Sequence, residues 1–447
     1  MLTPSPSDQN QLSFYSTFEE QLDHVHPLYI LAHHIRWRIF EDSFRKHYSE
    51  DFGAPAKPIR LMVALLILKH VRNLSDESVV EQWSENAYYQ YFSGEKVFAC
   101  KAPCVPTELV EFRKRIGEEG VELILKESIE VNGKDGKEKD GTTDTTVQEK
   151  NITFPTDSKL HKKIIDRCKK IAEKEDLELR QAYTRTIKKL SLDQRFRHQA
   201  KNQAKARKAD KKIKTIAGRL VRELERKLPA SNPSLTDLEL FKNILSQKRD
   251  DKQKIYSLHE PHTQCISKGK EYKKYEFGSK VSITRTKTTG VIIGAINIPK
   301  NDYDAHTLEP ALEQQQRLTG HVLENDFVDR GYRGVKMVLG TNIIVPSNHP
   351  SLSAYQKQKL RKGFRRRAAI EPAISHLKSD HRLSRNFYKG LFGDTINVML
   401  AAAGMNFKRM MNKWKKLSSF LFFVRWITRL FHDLVRLIDC KQPNMTF

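Results

Sequence analysis

At 447 residues the chain is long enough for two or three domains and a large core, and its 38% hydrophobic content suits a globular protein. Lys plus Arg outnumber Asp plus Glu by 79 to 54, and the formal charge of +25 asks for a polyanionic partner, nucleic acid ahead of a membrane surface or a ribosome-like assembly. The longest apolar stretches, at 61–68, 396–407 and 417–424, fall short of the roughly 18–20 residues of a membrane span, and no charged-then-apolar leader opens the chain, so a cytosolic protein is expected.

Residues 18–130 carry a helical pattern. PIRLMVALLILKHV (58–71) is apolar on most faces and predicts a core helix. Ser75 is placed to cap the next helix, with Asp76 and Glu77 in its first turn, and Thr107 to cap another. Short helices with tight turns fit a helix-turn-helix DNA reader and a generic bundle equally well. Cys100, Cys104, Cys168, Cys265 and Cys440 form no disulfide scaffold and point to a reducing compartment. The C-x-x-x-C of Cys100 and Cys104 has no second ligand pair at zinc-like spacing, which argues against zinc.

VNGKDGKEKDG (131–141) reads as a linker between a helical DNA-binding domain, 1–130, and a catalytic domain, 142–410. TTDTTV (142–147) predicts a strand with Thr142, Asp144 and Thr146 on one face. Residues 161–230 hold 23 Lys plus Arg against 9 Asp plus Glu, with apolar residues at helical spacing. They predict a basic helical insertion, about 158–250, in which Lys211, Lys212 and Lys214 would track a phosphate backbone; a solvated hairpin is the alternative. KVSITRT (280–286) and GVIIGAINI (290–298) predict a hairpin, HTLEPALEQQQRLTG (306–320) a helix closed by Gly320, HVLENDFVD (321–329) a strand ending in Asp329, then a short helix, the strand TNIIVPS (341–347) and a long helical region. Residues 411–447 carry an amphipathic basic helix suited to docking on the core or on a partner. His259, His262 and His376 lack the spacing of a zinc pair and read as packing or DNA-contact residues.

Three acids stand out: Asp144 on the first strand, Asp329 at a strand end before RGYRG, and Glu371 in RRRAAIEPAISHLK. Singly, an Asp before Gly is most often a turn residue and a Glu among arginines a surface ion pair. Jointly they read as hard oxygen ligands for Mg²⁺ or Mn²⁺, two ions of which could activate a nucleophile and stabilise a leaving oxygen at a phosphodiester. Asp144 would be the bridging ligand. Asp157, Asp326 and Asp380 compete, and Asp326, three positions before Asp329, falls on the opposite face of the strand.

The element order resembles the ribonuclease H-like fold, in which the first and fourth strands lie side by side. TTDTTVQEKNITFPTD (142–157), EPHTQCISKGKEYKKYEFGSKVSI (260–283), VDRGYRG (328–334) and the block 370–407, with 57–94 and 107–120 before them, resemble bacterial insertion-sequence transposases of the DDE class, in the insertion-sequence four- and five-like branch. That resemblance implies an α/β fold with a ribonuclease H-like catalytic domain preceded by an all-helical domain, and metal-dependent cleavage and strand transfer at the element's ends. It implies Asp144, Asp329 and Glu371 as catalytic ligands of Mg²⁺ or Mn²⁺, double-stranded DNA bearing terminal inverted repeats as partner, a homodimer on DNA, and a place in the bacterial cytoplasm at the nucleoid. The group's Tyr-x2-Arg-x3-Glu-x6-Lys motif falls on Phe364, Arg367, Glu371 and Lys378, with Phe in the Tyr position. Arg367 and Lys378 would then hold the DNA backbone, joined by Arg330 and Arg333 beside Asp329. Pro372 requires the last helix to kink at Glu371 or begin there with Pro at its first position, which would leave Arg367 on a loop. A ribonuclease H-like nuclease without strand transfer and a catalytically dead DNA-binding regulator are the alternatives.

Overall fold

The computed structural model describes residues 17–49, 55–248, 250–251, 253–267, 274–346 and 353–439. It is a mixed α/β molecule with a helical amino-terminal region, one mixed sheet of eight strands, and four helices inserted between the first two strands.

The amino-terminal helices are α1 (Phe18–Gln21), α2 (Pro27–His34), α3 (Trp37–Arg45), α4 (Ile59–Val71), α5 (Asp76–Glu85), α6 (Ala87–Phe92) and α7 (Pro106–Val131). Helix α4 is buried from Leu61 to Val71, so its all-round apolar pattern reflects a central position. Ser75 caps α5 by accepting from the Ser78 N–H at 3.0 Å. Thr107 does not cap α7. Pro106 takes the first helical position, where a missing N–H costs nothing, and the Glu108 carboxylate accepts from the Val105 N–H at 2.8 Å instead.

The glycine-rich stretch expected to be a linker is a packed corner. Residues Gly133–Lys137 form a 3-10 turn, in which Asp135 meets Arg409 at 2.8 Å and Lys413 at 3.0 Å. Glu138 accepts from the backbone N–H groups of Thr288 and Thr289. Polar residues that look solvated in sequence are satisfied here by partners more than a hundred residues away.

The strands are β1 (Asp140–Lys150), β2 (Gln264–Ser267), β3 (Tyr275–Thr286), β4 (Ile292–Ile298), β5 (Asn325–Phe327), β6 (Met337–Val338), β7 (Thr341–Ile344) and β8 (Arg385–Asn386). The sheet runs β2-β3-β1-β5-β7-β6, with β4 paired to β3 and β8 to β1. Strand β1 is therefore central, antiparallel to β3 and parallel to β5, and β3 and β4 form the expected hairpin. Between β1 and β2 lie α8 (Asp157–Lys174), α9 (Thr184–Asp193), α10 (Ala200–Lys227) and α11 (Ser234–Ser246). Then come α12 (Leu308–Thr319), closed by Gly320 at φ 72°, α13 (Ala354–Arg367), α14 (Ile370–Asp380) and α15 (Gly390–Asp439).

Three expectations shift. The strand over 321–329 contracts to β5, and the short helix after it is a 3-10 turn, Arg330–Tyr332, followed by β6. The long helical region breaks at Ala368–Ala369. The strand expected over 341–347 ends at Ile344, and Ser347 lies outside the described residues.

One continuous core joins α2–α7 to β3, β4, α12 and α15, so the amino-terminal helices share their interior with the sheet. Asn406 of α15 ties the layers. It accepts from the Ile292 N–H at 2.9 Å and donates to the Ile292 carbonyl at 2.8 Å and to Ser128 of α7 at 3.1 Å. The inserted helices enclose a separate core around Ile164, Ile213, Leu220 and Phe241. The basic carboxy-terminal helix expected over 411–447 is the continuation of α15 to Asp439; its side chains beyond Ser419, and residues 440–447, lie outside the described ones.

Candidate active site

Every β1–β5 pair is offset by 185 residues: Asp140 faces Asn325, Gly141 faces Asp326 and Thr142 faces Phe327. Carried two residues past the paired segment, this offset sets Asp144 beside Asp329, on parallel neighbours about 4.8 Å apart. One side chain bridges them. Arg367 Nη2 lies 3.2 Å from Asp144 Oδ2 and 3.9 Å from Asp329 Oδ2.

Each carboxylate is also fixed by backbone. Asp144 Oδ1 accepts from the Thr145 N–H at 2.8 Å, and Asp329 Oδ1 accepts from the Gly331 N–H at 2.7 Å as cap of the 3-10 turn. Arg367 projects from the last turn of α13, not from a loop, because Gly363 and Phe364 seat that helix on Phe327 of β5, with the two rings edge to face at 5.7 Å. Phe in the place of Tyr thus packs under the site. The Nε of Arg367 is buried and has no hydrogen-bond partner among the described residues.

Glu371 stands in the first turn of α14 with Pro372 following it at the third helical position, two later than the Pro-first arrangement expected from sequence. Phe364 and Arg367 therefore share one helix while Glu371 and Lys378 share the next. The corner between them is anchored by Arg285 of β3, whose Nη1 donates to the Ala369 carbonyl at 2.6 Å. Glu371 is exposed, and among the described residues no three His, Cys, Asp or Glu side chains stand close enough together to hold an ion. The expected three-carboxylate metal cluster is accordingly not assembled in this structure. Its two aspartates are side by side, and the gap between them is filled by a guanidinium, which supplies the positive charge that two adjacent carboxylates require.

Asp304 was not foreseen. It accepts from the Thr145 hydroxyl at 3.0 Å and from Lys280 Nζ at 3.0 Å. A methyl group on Gly331 would lie 2.9 Å from Asp329 Oδ1 and 3.2 Å from Asp304 Oδ2, which places the two carboxylates around the same glycine. In sequence, Asp304 is one of two acids, with Asp302, just before a helix, and no strand pattern marks it. Tyr332 is also part of this region. Burial pushes its hydroxyl well up, and Asp144, Asp304, Asp326 and Asp329 push it the same way.

The rival acids lie elsewhere. Asp157 starts α8 and meets Lys254 at 3.6 Å, Asp380 pairs with His376 at 2.8 Å, and Asp326 is fully buried on the far face of β5. Arg330 and Arg333 are exposed beside Asp329, Lys378 is half-buried on α14, and Lys211, Lys212 and Lys214 are exposed on α10. His262 belongs to a buried ionic cluster at the other end of β1, 3.3 Å from Glu260 and 3.2 Å from Asp394.

Residues 16–115 match a transposase domain family, DUF772, and residues 347–411 match a transposase DDE domain family. The chain is 41% identical over 184 residues, 39% of its own length and 88% of the relative's, to an uncharacterized protein, ORF8 of the nfe locus, from Rhizobium meliloti. No solved structure matches it. Among the described residues no helix is long and apolar enough to cross a membrane. The DDE match covers Arg367, which bridges the paired aspartates, together with Glu371 and Lys378, and the two domain matches indicate a DDE transposase.

Proposed function

We propose that this transposase has a ribonuclease H-like catalytic core and carries out metal-dependent cleavage and strand transfer of double-stranded DNA at the ends of an insertion sequence of the four- and five-like branch, acting as a homodimer on the inverted repeats in the bacterial nucleoid. The observation that carries this reading is that Arg367 bridges Asp144 of β1 and Asp329, which lies just past the end of the parallel neighbour β5.

The donor set fits a hard divalent cation in part. Two aspartates offer oxygen ligands side by side, and Glu371 joins them only if the α13–α14 corner closes and Arg367 withdraws. Bound there, Mg²⁺ or Mn²⁺ would polarise the scissile phosphate and lower the pKa of the attacking hydroxyl or water. The protein's own contribution is positioning. Arg367, with its unspent Nε–H, can transfer from the aspartates to a phosphate oxygen as DNA enters, and Lys378, Arg330 and Arg333 flank that path. Lys211, Lys212 and Lys214 would follow the backbone farther out.

Asp144→Asn tests this. Nicking of element-end DNA in Mg²⁺ should fall by at least about a thousandfold while DNA affinity stays within about threefold, because one charge is removed far from most phosphate contacts. Retained nicking removes Asp144 from the site. The occupied gap between the aspartates favours one rival, a DNA-binding regulator without catalysis, and metal-independent binding with no nicking by the wild-type chain would establish it.

A further inference from the structure

At the end of α14 opposite Glu371, a cleft of about 830 Å³ opens between the α4–α5 turn, the last turn of α14 and one face of α15. A second hollow of about 390 Å³, sharing Asn412 and Lys416 with the first, extends it along α15 to Ser419. Arg72, Lys408, Arg409, Lys413 and Lys416 line the cleft, Lys415 joins them in the hollow, and the one carboxylate among the lining residues, Asp380, is engaged by His376 at 2.8 Å and by Ser379 at 2.6 Å.

Arg409 and Lys413 share one carboxylate, Asp135, which offsets one of their two charges. Arg72, Lys408, Lys415 and Lys416 have no ion-paired carboxylate among the described residues. The Nε of Arg72 is buried without a hydrogen-bond partner among them. Burial lowers the pKa of the Lys408 ammonium, and Arg72 and Lys415 lower it further against the opposing pull of Asp380, as expected where cations outnumber carboxylates. Lys408, Asn412 and Lys416 repeat every four residues along one face of α15, a line about 12 Å long. From Glu371 to Asp380 helix α14 spans about 14 Å, so the cleft lies at the far end of that helix from Glu371.

We propose that this cleft is a second DNA-backbone site, in which Arg72, Lys408, Lys415 and Lys416 hold duplex phosphates away from the phosphate processed at Asp144 and Asp329. It rests on the reading of the chain as a DNA-cutting enzyme. Duplex DNA is the occupant that fits, because Lys408, Asn412 and Lys416 run in a line along α15, as phosphates do along a backbone.

The test uses the full chain, a linear duplex of random sequence, and binding measured across a salt series. Lys408→Ala with Lys416→Ala should weaken binding about tenfold near 0.1 M salt and reduce the slope of log K against log salt by up to about 1.8, at about 0.9 per phosphate contact. The Arg pair at the same positions should restore both. An unchanged slope overturns the proposal, as does failure of the Arg pair to rescue, which would assign the loss to packing. Should the first pair not fold, the exposed pair Lys415→Ala with Lys416→Ala reads the same slope. A wild-type chain that binds duplex without salt dependence brings down the DNA-cutting reading as well; a wild-type chain that binds and nicks, beside an Ala pair of wild-type slope, brings down only the cleft.

Discussion

Asp326 and Asp329 sit three residues apart, Asp326 inside β5 and Asp329 just past its end as the cap of the 3-10 turn, and their carboxylates lie in opposite environments. Asp326 is fully buried, and burial pushes its carboxyl up to about 7. An unfolded-state carboxyl titrates near 3.9, so between those values the folded chain binds the extra proton. The contribution to stability is therefore complete below about pH 4 and is lost as pH rises towards 7, by up to about 4 kcal/mol. Asp326→Asn should show no such decline. Its unfolding free energy relative to wild type should climb between pH 5 and pH 8 in urea titrations, and a pH-independent difference would mean that the buried carboxylate is already ionised. Asp329 lives by a different constraint, since the Gly331 N–H that fixes it leaves no room for a side chain. Gly331→Ala should displace its carboxylate and lower nicking by about tenfold to a hundredfold with little change in melting temperature; a wild-type rate would show that Asp329 tolerates the shift. Alternation with a period of two was enough to separate Asp329 from Asp326 in the sequence. It could not reveal Asp304, whose place depends on Lys280 and Thr145 from two other strands.

Strand β1 carries Asp144 and is held on both sides, by β3 along nine registered residues and by β5 and β8 on the other edge. The long partner is the vulnerable one. Gly278 of β3 faces Glu149, and a methyl group there would come 1.9 Å from the Gln148 carbonyl oxygen, a backbone atom that cannot step aside. Gly278→Ala should cost at least about 3 kcal/mol, the upper range for overpacking, read as a lowered denaturant midpoint with faster amide exchange at β1 and β2. A cost below about 1 kcal/mol would show that the strand end can part from β1 freely. The hairpin and its buried second strand were legible because alternation and turn spacing are local signals. The break between α13 and α14 was half legible. Pro372 announces a disruption near Glu371, but Ala368 and Ala369 are good helix formers, and the tie from Arg285 of β3 to the Ala369 carbonyl, which holds the corner there, leaves no local mark.

At the scale of the whole molecule the chain has two interiors rather than a string of separable domains. Composition and glycine spacing point to a division at 131–141, yet α4, α7, β4 and α15 bury their apolar faces together. The joint is reinforced at Asp76, which burial pushes up but which Arg113 and Lys69, both also buried, pull down to about 2. Both cations stack on Tyr388, at 4.3 and 4.5 Å, in the loop leading to α15. Such long-range burial leaves no local mark in sequence, whereas the insertion, which folds on itself, shows its helical period plainly. The two cores should respond separately to cavities. Leu65→Ala in α4 and Leu220→Ala in α10 each remove a fully buried side chain, and each should cost about 2–5 kcal/mol. Native-state amide exchange should then divide them. The Leu65 variant should speed exchange in the amino-terminal helices, β4 and α15 alike, while the Leu220 variant should speed it in α8–α11 and leave β1 and β3 as protected as in wild type. If the Leu65 variant loosened only the amino-terminal helices, the shared core would not be a cooperative unit. If the Leu220 variant loosened the sheet, the insertion would be a structural support of the active site rather than an arm mounted beside it.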